Sequence, residues 1–466
     1  MSDLADATAT ELLDLFGAGA ASPVDAVEAV LARIERVEPA VQAVATLVAD
    51  DARAAARASE RRWHTGEARP LEGVPYGLKD VVATAGVRTS GGSRRFADHV
   101  PDANAAVARR LEQAGGVLVA KLNTYELALG TPDGVPYARN PWDVERTPGG
   151  SSSGSAAAVA ARELPIAIGT DTGGSIRIPA SFCGVTGLKP TYGAVPRTGV
   201  FPLSWTLDHV GPLATTALDA ALVMDAIAGP DDGDPTSSAR PWRPAVAGAR
   251  ADPAGLRVGL PRDWFFDVCD PQVAAATERA VELLAENGAS VVEVSVPAAR
   301  LAEERGMWDA IVYAECGSLH EDAFPAHAEL YGADFRHVLL TAPFVSALEY
   351  LAALRGRVHI QRDLEAAFAS ADVLVTPCAV AAAPLAADMV MEVGDRRYPW
   401  REVAGRTTAI FNLAGAPALS LPIGLDESGL PMGMQVVAPP HADGLCLQVG
   451  AWYQRLTTHH RAAPMT

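Results

Sequence analysis

Apolar positions recur at helical spacing through the first seventy residues. Ser22-Pro23 reads as an N-cap followed by proline at the first helical position, and Val24, Val27, Val30, Leu31 and Ile34 then mark one face. Asp51 to Arg62 predicts an Ala/Arg-rich helix with a solvated face. The pattern then changes. Leu71 to Thr84 reads L-E-G-V-P-Y-G-L-K-D-V-V-A-T, a strand-like run flanked by glycine and proline, with Lys79 set among apolar neighbours. Helix 104–114 and strand 116–121 follow. The segment N-T-Y-E-L-A-L-G then predicts a helical turn that offers Thr124 and Tyr125 to a pocket.

The stretch from Pro148 to Pro179 holds two Ser/Gly clusters separated by one helix–strand unit. Ser153 is expected to cap a short Ala-rich helix through about Glu163, and Leu164 to Gly169 reads as a buried strand. A helix with a returning strand brings its ends together, so Ser151 and Ser175, 24 positions apart, should meet. From Ala180 to about Leu213, glycine and proline interrupt the chain too often for a long regular element.

Helix 215–228 and a Pro/Asp/Ser-rich excursion at 229–253 come next. The second half alternates strand 256–260, helix 271–287, strand 290–296, helix 300–322, helix 345–369 and strand 373–377. Helix 402–412, strands 417–423 and 432–438, and helix 443–456 close the chain. This alternation predicts an α/β fold with its sheet covered by helices on both faces. One domain spanning 1–466 is expected: a helical layer at 1–70, a core at 71–228, and the remaining sheet and covering helices at 229–466.

Composition narrows the classes. The chain has 466 residues, 49% of them hydrophobic, a net charge of −18 and a pI near 5.0. Such a balance argues against a nucleic-acid backbone as the main partner. Five cysteines with no C-x-x-C pair suit free thiols in a reducing compartment. The opening M-S-D-L-A-D-A-T lacks a basic and apolar leader, and Thr407 to Leu425 is broken by Gly415, Pro417 and Pro422, so a cytoplasmic chain without a membrane partner is expected.

The Ser/Gly clusters carry the candidate chemistry. A serine hydroxyl attacks only once a base removes its proton, and the resulting oxyanion needs N–H donors. Asp171-Thr172-Gly173-Gly174-Ser175 offers a hydroxyl and a tight turn of N–H groups. Ser151 is placed to relay a proton. Lys79 is the base, since a buried ammonium loses solvation and becomes neutral more readily. Phe201, Trp205, Tyr125 and the Pro377-Cys378-Ala379-Val380 turn are candidate pocket walls, and Arg197 or Arg336 a partner for a substrate carboxylate.

A different pattern overlaps the first cluster. Gly150-Ser151-Ser152-Ser153-Gly154 is formally G-x-S-x-G, which would make Ser152 a nucleophile paired with His209, His320 or His337. That motif needs a preceding strand, and R-T-P-G is a turn. No metal-ligand spacing appears, and His459-His460 reads as tail.

Three blocks together resemble the amidase signature family: G-V-P-Y-G-L-K at 73–79, P-G-G-S-S-S-G-S at 148–155 and G-T-D-T-G-G-S-I-R-I-P at 169–179. The endings P-A-L-S-L-P-I-G and P-M-G-M-Q-V-V are similar too, and the resemblance implies the amidase-signature fold, a large, mostly mixed sheet covered by helices on both faces. The resemblance implies Ser175 as nucleophile, Ser151 as a bridging serine held by a cis peptide, and Lys79 as base. It further implies an oxyanion hole of Thr172, Gly173, Gly174 and Ser175, buttressed by Asp171 and Arg177. The family's second block often reads G-G-S-S-G-G-S; Ser153 departs from it.

The implied activity is hydrolysis of a linear amide through an acyl-enzyme, with esters also cleaved and no metal or organic cofactor. A neutral amide, anilide, carbamate or urea derivative with an apolar group is expected, acted on by a stand-alone enzyme or homodimer. The family also includes the glutaminase subunit of tRNA-dependent amidotransferases. That subunit should carry an A-R-Y-D-G-like stretch where this chain reads A-I-V-Y-A-E-C-G-S-L-H. A non-catalytic assembly subunit is the remaining alternative.

Overall fold

A computed structural model describes residues 3–464; Met1 and Ser2, the start of the segment read for a leader, lie outside the described residues. The strands in chain order are β1 (Val44–Leu47), β2 (Pro75–Lys79), β3 (Val117–Leu122), β4 (Ile166–Asp171), β5 (Thr186–Lys189) and β6 (His209–Ala214). They continue with β7 (Arg257–Leu260), β8 (Ser290–Glu293), β9 (Val373–Pro377), β10 (Val390–Val393), β11 (Arg396–Pro399), β12 (Ala418–Leu425) and β13 (Pro431–Val437). Eleven form one sheet in the order β1-β3-β2-β4-β6-β5-β12-β13-β9-β7-β8, and β10 with β11 make a separate hairpin. The large sheet is mixed: β2 runs parallel to β3 and β4, β7 parallel to β8 and β9, and the other pairs are antiparallel.

Both faces of the sheet are covered, as alternation along the strands requires. Ile166 and Ile168 of β4, with Val210 and Ala214 of β6, pack with helices Ala217–Ile227, Pro271–Glu286 and Asp443–Leu456. Their neighbours Ala167 and Leu213 point the other way, toward helices Pro23–Val41, Ala49–Thr65 and Ser153–Ala160. A third apolar cluster lies under helices Met307–His320, Ala333–Thr341 and Ala347–Ser370.

Several expectations are corrected. The long helix read at 300–322 is two, Ala298–Glu304 and Met307–His320, broken at Gly306 with φ +54°. Helix 402–412 is likewise split into Trp400–Val403 and Ala409–Ala414. The punctuated stretch after Pro179 hides β5 and β6, whose glycines and prolines sit in a sheet interior. Gly211 shows why: a Cβ there would lie 2.2–2.9 Å from Leu188 O and Pro190 Cδ, so close strand packing demands glycine. Leu127 and Ala128 take positive φ, so N-T-Y-E-L-A-L-G is a turn without helix. Ser153 begins its helix and makes no capping bond. No single described helix is long and apolar enough to cross a membrane.

Candidate active site

The carboxyl ends of the parallel strands β2 and β4 lie side by side and place Lys79 and Thr170-Asp171 next to the Ser/Gly turns. The short helix Ser153–Ala160 turns back into β4, and this brings Ser151 and Ser175 together as the spacing predicted. Lys79 is fully buried. Its Nζ donates to Ser151 Oγ at 2.7 Å, to Thr170 Oγ1 at 2.7 Å and to Ser152 Oγ at 3.1 Å. Burial pushes the ammonium down to about 7, opposed only weakly by the carboxylates of Asp171 and Asp208.

The link between the two serines is looser. Ser175 Oγ accepts from the Ser151 N–H at 3.4 Å, and the two hydroxyls do not bond to each other. The implied cis peptide is absent, since no described peptide bond is cis. The turn is made by Gly149 instead, at φ +106°, where a Cβ would lie 2.8 Å from Pro179 Cα.

Asp171 organises the oxyanion loop. Its carboxylate accepts from Gly174 N at 2.8 Å and Ile176 N at 3.1 Å, and from Arg177 Nε and Nη2, each at 3.0 Å. Burial alone would raise this carboxyl; the Arg177 charge and hydrogen bonds outweigh it and hold it well below the usual carboxylate range. Every Arg177 donor is used, the rest reaching Thr408 O, Gln435 Oε1 and Asn412 Oδ1. Because Gly174 N is committed to Asp171, it is removed from the expected oxyanion donors. The N–H groups of Gly173 and Ser175 have no acceptor among the described residues.

Residues distant in sequence complete the loop. Trp308 Nε1 donates to Thr172 O at 3.0 Å, and Thr408 Oγ1 donates to Gly173 O at 2.6 Å. Asn412 Nδ2 reaches the Asp171 carboxylate at 2.8 Å, and Thr172 Oγ1 donates to Asp208 at 2.6 Å. Of these, Trp308, Thr408, Asn412 and Asp208 do not stand out in the sequence. The first three sit in segments whose only signal is apolar periodicity, and Asp208 in the stretch broken by glycine and proline.

A pocket of about 490 Å³ opens above Ser175. Tyr125 lines it, with Leu203, Ile178, Met307, Trp308, Val338 and Leu413. Phe201 and Trp205 do not. The 197–210 segment carries them into a second cavity of about 260 Å³ behind the site, where Phe201 packs on Phe96 and His99. Cys378 is buried beneath the loop, its Sγ 3.3 Å from Arg177 O. Arg197 and Arg336 also stay outside the pocket. Arg197 is held by Trp205 O and Tyr192 Oη; Arg401 and Arg406 reach the pocket instead. Ser152 Oγ donates to Thr170 O and touches no histidine, which removes the nucleophile-elbow arrangement. No three His, Cys, Asp or Glu side chains converge as metal ligands among the described residues.

The Amidase family profile matches residues 25–447. A glutamyl-tRNA(Gln) amidotransferase subunit from Chloroflexus aggregans is 39% identical over 451 residues, covering 91% of each chain. The subunit of the same name from Thermotoga maritima superposes with a TM-score of 0.79 at 30% identity, over 96% of this chain and 94% of its own. A TM-score of 0.91 at 34% identity, over 96% and 98%, is reached with a structure described as a vestigial protein complex that reveals the origins of an s-triazine catabolic enzyme. These findings overturn the expected partner set of a small molecule, no nucleic acid and at most a second copy. The curated relatives are named as subunits, and their name carries a tRNA. The expectation rested on net charge, which describes the whole surface and not a local interface. The match across most of its length places the chain in the amidase signature family, whose members hydrolyse carbon–nitrogen bonds.

Proposed function

We propose that this chain cleaves the side-chain amide of glutamine, or a close amino-acid analogue, as the amide-hydrolysing subunit of an amidotransferase-type assembly that serves a tRNA. The relatives' shared name supports the assembly. The observation that carries the substrate is the charge at the pocket. Arg401 pairs with Asp334 at 2.5 Å, Tyr313 lies beside Arg401, and Asp309, Glu303 and Arg406 share the same walls. A zwitterionic amino acid needs one cation for its carboxylate and one anion for its ammonium, and both signs are present.

In this reading neutral Lys79 takes the Ser151 proton as Ser151 takes that of Ser175. Ser175 Oγ adds to the amide carbon, and the oxyanion faces the N–H groups of Gly173 and Ser175. The proton returns through Ser151 to the leaving nitrogen, the C–N bond breaks, and an ester to Ser175 remains. Water, activated by the same relay, releases the acid.

A second reading has one specific observation in its favour. Helix Met307–His320 carries M-W-D-A-I-V-Y-A-E-C and not the A-R-Y-D-G-like run expected of a glutaminase subunit, and Met307, Ile410 and Leu413 add an apolar wall. This favours an amidase for apolar amides. Ammonia or amine release from glutamine, propionamide, an anilide and a carbamate separates the two. Preference for glutamine supports the subunit reading; preference for the apolar amides sinks it.

A further inference from the structure

The three hydroxyls around Lys79 are not equivalent, and proton counting separates them. Ser152 Oγ donates to Thr170 O at 3.0 Å and accepts from Thr170 N at 3.1 Å, so toward Lys79 it only accepts. When Lys79 is neutral its lone pair must therefore meet a proton from Ser151 or from Thr170. Ser151 faces the substrate pocket. Thr170 Oγ1 makes no other bond, and Thr170 lines the second cavity, behind the site.

That rear cavity shares Ala128, Thr172 and Leu203 with the substrate pocket but has its own exposed rim, formed by Gly199, Pro202, Trp205, Gly233 and Pro235. Thr170, Thr172, Asp208 and His209 place polar groups in its otherwise mainly apolar wall. His209 is buried with Nδ1 2.6 Å from Leu207 O, so Nδ1 carries the proton and Nε2 is an acceptor, with no partner among the described residues. The charged groups around the path are Asp171 on β4, Asp208 before β6, and Arg197 and Asp234 in the cavity wall. Arg197 and Asp234 lie 3.6 Å apart.

Lys79 has no exposed atom through which to gain or lose a proton, and its Ser151 branch leads only into the substrate pocket. We propose that Lys79 exchanges its proton with solvent through the Thr170 hydroxyl and the rear cavity, independently of the substrate pocket. One N–H bond of the ammonium breaks and its proton forms a new O–H bond on Thr170. The former hydroxyl proton passes to a water in the cavity; the reverse steps recharge the lysine. Thr170 is a positioning and relay residue in this scheme, and the scheme rests on Lys79 being the base.

The test exploits a feature of the sequence. The chain has only three lysines, Lys79, Lys121 and Lys189, all fully buried. Protein labelled with ¹⁵N at lysine Nζ therefore gives three ammonium signals, and Lys79→Ala identifies one. The front pocket is blocked with a fluorophosphonate on Ser175, checked by intact mass, and ammonium exchange with water is read at pH 5.5. Thr170→Val should slow Lys79 exchange at least tenfold and leave Lys121 and Lys189 unchanged. Thr170→Ser should restore it, and Pro202→Trp, a surface change at the cavity mouth, should slow it with Thr170 intact. Equal exchange in wild type and Thr170→Val, or no effect of Pro202→Trp, overturns the route. If the probe leaves Ser175 unmodified, the nucleophile assignment fails, and the same comparison is made with the pocket saturated by glutamine.

Discussion

Lys79 and Lys189 are a controlled pair within one molecule. Both are fully buried, both end a strand of the same sheet, and burial pushes both ammonium groups to about 7. Their partners differ. Lys79 faces three hydroxyls, two of which, those of Ser151 and Thr170, have a proton free to donate back. Lys189 donates to the carbonyls of Pro190 at 3.1 Å and Ala416 at 2.5 Å, which only accept. A depressed pKa makes a lysine available as a base, but only a neighbour with a mobile proton lets it act as one. Lys121 is a third case: burial lowers it to about 8 beside Asp80 at 3.4 Å, and its one hydroxyl partner, Thr89 Oγ1 at 2.6 Å, donates its proton to Val87 O.

The largest expected difference is in hydrolysis. Lys79→Ala should lower kcat by about 10²–10⁴, the range for losing a positioned base, and Ser175→Ala should abolish acylation. Lys189→Met should stay within roughly tenfold of wild type, because its effect reaches Ser175 only through the loop. Equal losses at the two lysines in kcat measurements would break the comparison.

The next effect reverses the order and is read as stability. Lys189→Met leaves two buried carbonyls without donors and should cost about 1–3 kcal/mol for each, seen as a lower urea midpoint at pH 8. Lys79→Met leaves hydroxyls that re-pair with Ser175 or Thr170 O, so its midpoint should fall less.

The pH dependence of hydrolysis comes third. Lys79 works as the neutral amine, so kcat/KM should rise about tenfold per pH unit below 7 and level above it. Lys189→Met should keep this limb. A profile that is flat from pH 5.5 to 8 would remove Lys79 from the role of base.

The smallest difference is one the two lysines should share. Each has a folded pKa near 7, below the unfolded value of about 10.4, so the unfolded chain binds more protons between those limits. Stability should climb with pH across that window, and the penalty is fully present below pH 7. Either lysine-to-methionine change should reduce the slope by up to about 1.4 kcal/mol per pH unit, the value for one proton. Urea midpoints at pH 7, 8 and 9 measure it.

Much of the site was legible because its chemistry is local. Lys79 among apolar residues, two Ser/Gly turns, and one helix–strand unit between them lie within about a hundred residues, and their residue types fit few other uses. The walls were not legible in the same way. Phe201 and Trp205 look like pocket aromatics, yet the 197–210 segment, anchored by Asp208 to Leu203 N and Ser204 N, turns them rearward. Trp308, Thr408, Asn412 and Gln435 hold the loop from more than a hundred residues away, and nothing at those positions marks a hydrogen-bond partner in advance.

The sequence by itself determined the alternation of helix and strand, and the family through three short blocks, because periodicity and turn chemistry are properties of neighbouring residues. Only the tertiary structure decided which buried lysine meets the serine hydroxyls, which glycine N–H stays free for an oxyanion, and which cavity each aromatic lines. Those outcomes depend on desolvation and hydrogen-bond partners contributed by distant strands and helices, and such groups meet only when the whole sheet has formed.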